Sequence, residues 1–217
     1  MPLIPLTDAT RRPVQFPLVT ACLVVANVAV FLLELQGGDS FVLRWSVVSS
    51  ELLAGHRPVT LVTSMFMHGG WLHLIGNMVF LWAFGPEVED AMGSPRFLIF
   101  YFAGGIVAML AQVLAAPHST AACLGASGAI AAVMGAFLVT FPADRIKSVL
   151  LIGVFAKVTF IPAALLIGIW FVLQLFNLGA VADVGTGGVA YMAHIAGLLF
   201  GAATARLIEP GGIMARP

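Results

Sequence analysis

The chain has 217 residues, of which 60% are hydrophobic and only 9% charged, with a formal net charge of zero. A soluble domain carries about a quarter charged residues, so there are too few here to clothe a water-facing surface. A polytopic membrane protein is the class that remains, with the lipid bilayer as its first partner. The neutral balance suggests no nucleic-acid partner.

In chain order, residues 1–17 read as a short polar tail with Pro2, Pro5, Pro13 and Pro17, too small to fold alone. Six apolar segments follow: Leu18–Leu35, Trp71–Phe84, Phe97–Ala115, Ser127–Phe141, Phe160–Leu178 and Gly188–Leu207. A hydrocarbon core of ~30 Å takes about 20 helical residues, so most of them suffice and the second and fourth fall short. None alternates polar and apolar with period two, which argues for helices over strands. The first segment is read as a retained helix, because Glu34-Leu35-Gln36-Gly37 offers no small-x-small cleavage site.

Between the first two segments lies a long connection, residues 36–70, holding Phe41, Trp45, Leu52 and Leu53. That mixture belongs at a membrane interface, where Trp is favoured, and Val47–Ala54 is expected to form a short interfacial helix. Gly85-Pro86 with Glu87, Glu89 and Asp90 reads as a solvated loop, as does Pro142–Lys147. Val149–Phe155 is an apolar piece too short to span, expected to be re-entrant or interfacial. The tail 208–217 is expected to be short and disordered from Pro210. The organisation is thus a tail (1–17), a six-helix membrane domain (18–207) and a second tail (208–217).

With the amino terminus in the cytoplasm, Arg11, Arg12, Arg96, Arg145, Lys147, Lys157, Arg206 and Arg216 collect inside, and only Arg44 and Arg57 remain outside. This positive-inside bias puts both termini in the cytoplasm. Cys22 falls near the inner end of the first helix and Cys123 near the outer face, too far apart to bond.

Polar groups inside membrane helices are costly and invite a functional explanation. His73, Asn77, Ser127 and His194 are the four that stand out. At ~1.5 Å per residue from the inner boundaries Glu87, Pro142 and Arg206, they stand ~21, ~15, ~22 and ~18 Å up. Three helices therefore deliver polar side chains to one level in the outer half of the bilayer. His73 and Asn77, four apart, share a helix face. His68, set off by Gly69-Gly70, belongs to the preceding loop. Gly128 and Gly135 on one helix, and Gly197 and Gly201 beside His194 on another, permit close backbone approach.

The fourth segment, 15 residues from Ser127 to Phe141, spans ~22 Å and so should start inside the bilayer. Its unpaired N–H groups would point at whatever lies there. With Asn77 and His73 they form candidate donors to an oxyanion, and Ser127 beside an imidazole is an activated nucleophile. No carboxylate lies at this level to orient His194. The arrangement is a dyad, with packing by Tyr191 or Trp170 supplying orientation.

The motifs His68-x-x-x-x-His73-x-x-x-Asn77, Gly125-Ala126-Ser127-Gly128 and Ala193-His194-x-x-Gly197 resemble, in order and placement, those of the rhomboid family of intramembrane serine proteases. The resemblance runs from about Val59 to Gly201. It implies an all-α, six-transmembrane-helix bundle with a short central fourth helix. In it Ser127 is the nucleophile and His194 the general base and acid, while His73 and Asn77 support the oxyanion. His68 steadies the outer loop, Gly125, Gly128 and Gly197 give structural support, and Glu89 ties loop ends together. The implied substrates are single-pass transmembrane proteins cut near the outer face, with no metal or organic cofactor, in a bacterial-type plasma membrane. Two positions depart from the pattern. Val59-Thr60 stands where some members have Trp-Arg, and Ala131 where some have a Tyr stacked on the catalytic His, leaving Tyr191 as the candidate for stacking.

Two other readings compete. A metalloprotease would use His68, His73 and His194, but the five-residue spacing lacks the intervening acid of H-E-x-x-H. A non-enzyme reading is an inactive rhomboid-like binding protein or a transporter. Inactive relatives generally lose the serine or histidine, and a transporter would more often show inverted repeats.

Overall fold

The computed structural model of the protein describes residues 3–152, 155–181 and 190–208. The expected disordered tail from Pro210, and the start of the sixth segment at Gly188, lie outside these residues. Helices dominate. Three of them, Leu18–Trp45, Ser94–Ala115 and Tyr191–Ile208, are long and apolar enough to cross a membrane.

The amino-terminal residues are not a loose tail. Strand β1 (Leu3–Asp8) leads to helix α1 (Leu18–Trp45), which outruns the expected Leu35 because it continues past a break at Gly38, where φ is 63°. Next come β2 (Val47–Val48), α2 (Ser49–Leu53) and α3 (Thr60–Thr63). The expected interfacial helix over Val47–Ala54 is therefore a two-residue strand followed by a short helix. Then follow α4 (Trp71–Met92), α5 (Ser94–Ala115), β3 (Ala122–Cys123) and α6 (Ser127–Thr140). The chain closes with β4 (Arg145–Ile152), β5 (Phe155–Pro162), α7 (Ala163–Val181) and α8 (Tyr191–Ile208).

Helix α4 corrects the reading of Glu87, Glu89 and Asp90 as a solvated loop. Pro86 lies inside the helix and does not end it. A proline forfeits one backbone bond, and packing on both sides offsets that loss here. Glu87 and Glu89 are 3% and 2% exposed. The Glu89 carboxylate accepts the backbone N–H groups of Val19 (2.9 Å) and Thr20 (2.8 Å), and the hydroxyls of Thr20 (2.8 Å) and Ser94 (2.6 Å). An anion at the start of α1 satisfies donors that a helix leaves open and complements its dipole. The same carboxylate holds the tight link from α4 to α5.

Of the apolar piece Val149–Phe155, Val149–Ile152 lie in β4 and Phe155 opens β5, its antiparallel partner. β1, β4 and β5 form an antiparallel sheet in that order, with Leu3 opposite Leu150 and Ile146 opposite Ile161. Pro5 sits on the edge strand next to a register shift, where a missing N–H is tolerated. Beyond the strands, Ala9 N–H donates to Arg145 O and Ala163 N–H to Asp144 O, both at 2.8 Å. Arg11 pairs with Asp144 and lies 4.0 Å over the Phe141 ring. A second, two-stranded pairing of β2 with β3 fastens the long 36–70 connection to the segment before α6.

Helix α6 is hydrophobic on all sides and buried without interruption from Gly128 to Phe137, as a helix apolar all round should be. Its closest neighbour is α8. A Cβ on Gly197 would run into the Gly128 carbonyl, one on Gly201 into the Ala132 carbonyl, and one on Gly135 into Leu198. These contacts are backbone against backbone, and they set the depth at which the two helices meet.

Candidate active site

Four helices bring side chains to one cavity of about 590 Å³, lined by His73 and Asn77 of α4, Ser127, Ile130 and Met134 of α6, Trp170 of α7 and His194 of α8. Ser127 is the first residue of α6, and that helix start has no side-chain cap. Its N–H groups are therefore directed at the cavity end of the helix. The approach to it runs through Gly125, whose φ of +121° disfavours any side chain. A Cβ there would also lie 2.8 Å from the His73 ring. Gly125 N–H donates to Ser64 O at 2.8 Å, which fixes the turn.

The His194 Nε2 and the Ser127 Oγ are 2.7 Å apart. The close seam of α6 and α8 delivers both, because Gly128 and Gly197 lie directly beyond the two side chains. α4 runs five residues past Glu87, to Met92. The convergence rests on contacts between the side chains themselves.

His73 accepts the Gly69 N–H at Nδ1 (3.3 Å), so its proton sits on Nε2, the atom that a Gly125 side chain would meet. His68 is buried in the loop before α4. Its Nδ1–H donates to Phe66 O at 3.2 Å and its Nε2 accepts from Asn77 Nδ2 at 2.9 Å. Asn77 is thereby held with one N–H on His68 and a second available to the cavity. The backbone N–H of His68 donates to the buried carboxylate of Glu34 on α1 (2.9 and 3.2 Å). With both ring nitrogens committed, His68 is not arranged as a metal ligand. Among the described residues no group of three His, Cys, Asp or Glu side chains is placed to hold a metal ion.

Tyr191 does not stack on His194; its ring meets the imidazole edge-on at 6.5 Å, whereas Trp170 lies nearer at 5.4 Å and 40°. Ala131 is fully buried against Gly197. Two site-adjacent residues escape a reading by motif. Glu34 looks like a helix boundary in the sequence but is a buried acceptor. Gln174 of α7 contacts the other nitrogen of His194, with Oε1 2.8 Å from Nδ1. The signal for Gln174 was the same one that exposed His194, a polar side chain amid apolar neighbours.

A family model described as the Rhomboid domain matches residues 55–210. The chain is 36% identical over 118 residues to the rhomboid protease GluP of Bacillus subtilis, covering 53% of this chain and 23% of that protein. It is 29% identical over 124 residues to the putative rhomboid protease YdcA of the same bacterium (57% and 62% covered). Against rhomboid protein 1, mitochondrial, of Saccharomyces cerevisiae it is 30% identical over 125 residues (55% and 36% covered). The matched stretches thus span less than two thirds of these relatives' own lengths. With most of its length inside the family match and several helices built for lipid, the chain is an integral, multi-pass membrane protein that belongs to the rhomboid family.

Proposed function

We propose that the protein is an intramembrane serine endopeptidase in which Ser127 and His194 form the catalytic dyad. The observation that carries this reading is the 2.7 Å contact between the Ser127 hydroxyl and His194 Nε2 at the wall of a cavity large enough for water and a peptide bond. In the reaction, His194 Nε2 takes the Ser127 proton as Oγ attacks the scissile carbonyl. The developing oxyanion is met by the N–H groups at the start of α6, the Nε2–H of His73 and the free N–H of Asn77. The imidazolium then protonates the leaving amine, and a water activated by the same nitrogen releases the acyl group.

The membrane domain is read as residues 18–207 with six spans, α1, α4, α5, α6, α7 and α8, and with α6 beginning below the outer surface. A 14-residue helix is ~21 Å long, short of a ~30 Å core. The sheet joining β1 to the link after α6 supports placing both of those segments on one side, which charge distribution identifies as the cytoplasm. Substrates are single-pass transmembrane proteins. Their helices must unwind locally, because helical peptide bonds are hydrogen-bonded and shielded from attack.

The test is cleavage of a single-pass substrate by protein reconstituted in liposomes, with Ser127→Ala and His194→Ala alongside. Wild type should cleave and both variants should fall to background, and a fluorophosphonate should label wild type alone. Equal cleavage by all three would remove the dyad, and loss of cleavage on chelation would point to a metal.

A further inference from the structure

We propose that Gln174 is a positioning residue that fixes which nitrogen of His194 acts as the base, a proposal that rests on the dyad reading above. The Gln174 Nε2 lies 3.2 Å from the backbone carbonyl of Trp170, one turn earlier on α7. A carbonyl only accepts, so the –NH₂ end of the amide must face Trp170, and Oε1 must face His194, from whose Nδ1 it is 2.8 Å. An amide oxygen also only accepts. Nδ1 therefore carries the proton, and Nε2 presents its lone pair to the Ser127 hydroxyl at 2.7 Å. The chain Trp170 C=O, Gln174 amide, His194 imidazole, Ser127 hydroxyl thus has one consistent set of donors and acceptors. It selects the only neutral tautomer in which His194 can receive the serine proton.

The residue type suits the surroundings. Gln174 and His194 are each 8% exposed. A carboxylate in this place would be costly to bury and would favour the imidazolium over the free base. A neutral amide orients the ring and leaves it unprotonated. When the imidazolium forms in the transition state, the negative end of the amide dipole faces it. Among the described residues, the other titratable groups facing His194 are His73 from α4, Tyr191 on its own helix and Cys123 of β3, which lines the same cavity. α6 and α7 carry none, and Arg96 and Tyr101 of α5 lie toward the far end from Gln112, which reaches Ala193.

The experiment uses the full chain, ¹⁵N-labelled at histidine, in detergent or nanodiscs. NMR should find the His194 ring of wild type protonated on Nδ1, a readout independent of any protease activity. Gln174→Leu, close in size but unable to accept, should redistribute the proton toward Nε2. It should also lower kcat and the rate of fluorophosphonate labelling at Ser127 together, by about 10- to 100-fold, with KM little changed. Gln174→Glu, which keeps an acceptor for Nδ1–H, should lower turnover less than Gln174→Leu and move the acid limb of the kcat/KM profile to higher pH by about one unit or more. An Nε2-protonated His194 in wild type would overturn the proposal. So would Gln174→Leu with unchanged kcat, or Gln174→Glu with an unmoved acid limb. Should Gln174→Leu fail to fold, the wild-type tautomer and the Gln174→Glu profile still decide. Wild type that shows the expected tautomer but neither cleaves nor labels would instead refute the dyad reading and leave the Gln174 assignment standing.

Discussion

Gly125 carries two constraints at once, a positive φ and a ring pressed against the place where a side chain would begin. Gly125→Ala should therefore displace His73 or the first turn of α6. Serine labelling is expected to fall at least about 10-fold, with most of the fold's thermal stability retained. His73 and Asn77 hold their donors toward the cavity by different means, one through Gly69 and the other through His68. On the proposed mechanism, His73→Ala and Asn77→Ala should each lower kcat by about 10²–10³ with smaller effects on KM, the loss expected when one oxyanion donor is removed. Tyr191→Ala, by contrast, removes only an edge contact at 6.5 Å. Turnover should change modestly, since Trp170 and Gln174 already bracket the ring; initial rates of the three variants side by side check these expectations.

The four polar residues that define the cavity were legible in the sequence because each interrupts an apolar run, where its presence needs a reason. Gln174 interrupts one too. Its role is hidden because the usual orienting partner of a catalytic histidine is a carboxylate, although an amide oxygen supplies the same acceptor without a charge. Glu34 was illegible for another reason. Near the end of an apolar segment a glutamate reads as the boundary with water, and only the tertiary fold brings the His68 N–H to it.

At the scale of elements, the lesson of α4 is that a proline marks a helix end only when nothing else holds the helix together. Gly85-Pro86 looks like a stop, yet Glu89 three residues on has four donors waiting on α1 and α5. Removing them from one carboxylate should be expensive, because hydrogen bonds to a charged group contribute about 1.5–3 kcal/mol each in favourable cases. Glu89→Ala is expected to lower unfolding free energy by about 3 kcal/mol, and Glu89→Gln by less, measured by denaturation in mixed micelles. The α6–α8 seam is the second such element. Gly201→Ala would set a methyl group against the Ala132 carbonyl, where backbone cannot yield, and should cost about 1–3 kcal/mol. The sheet was the part least legible. β4 and β5 show alternation over only a few residues (Arg145-Ile146-Lys147 and Lys157-Val158-Thr159-Phe160), β1 carries a proline, and β1 finds its place only by pairing with β4 more than a hundred positions away.

Across the whole molecule, the sheet gathers charge that the membrane domain lacks. Asp8 is buried beside Asp144 and Glu87, and that burial pushes its carboxyl from 3.8 up to about 6, against the opposing hydrogen bonds from Thr10 and Arg11. A carboxyl whose value is raised on folding favours the folded state fully below its unfolded value, and that contribution is lost as pH rises through about 6. The attachment of β1 should therefore weaken between about pH 4 and 7. Asp8→Asn keeps an oxygen for the Thr10 and Arg11 N–H groups. It should raise the unfolding temperature at pH 7.5 relative to wild type, with the difference closing near pH 4.

The bond from Ala163 N–H to Asp144 O, at the junction of β5 with α7, makes that junction a fixed pivot. Gln174 stands eleven residues farther along α7, a lever arm of ~16 Å. Swinging such an arm by ~10° carries its amide ~3 Å, further than a hydrogen bond stretches before it is lost. A small rotation of α7 would thus unlatch the imidazole while leaving the α6–α8 backbone seam untouched, so that, on the proposed dyad, the readiness of the serine is geared to the angle of a helix on which neither member lies.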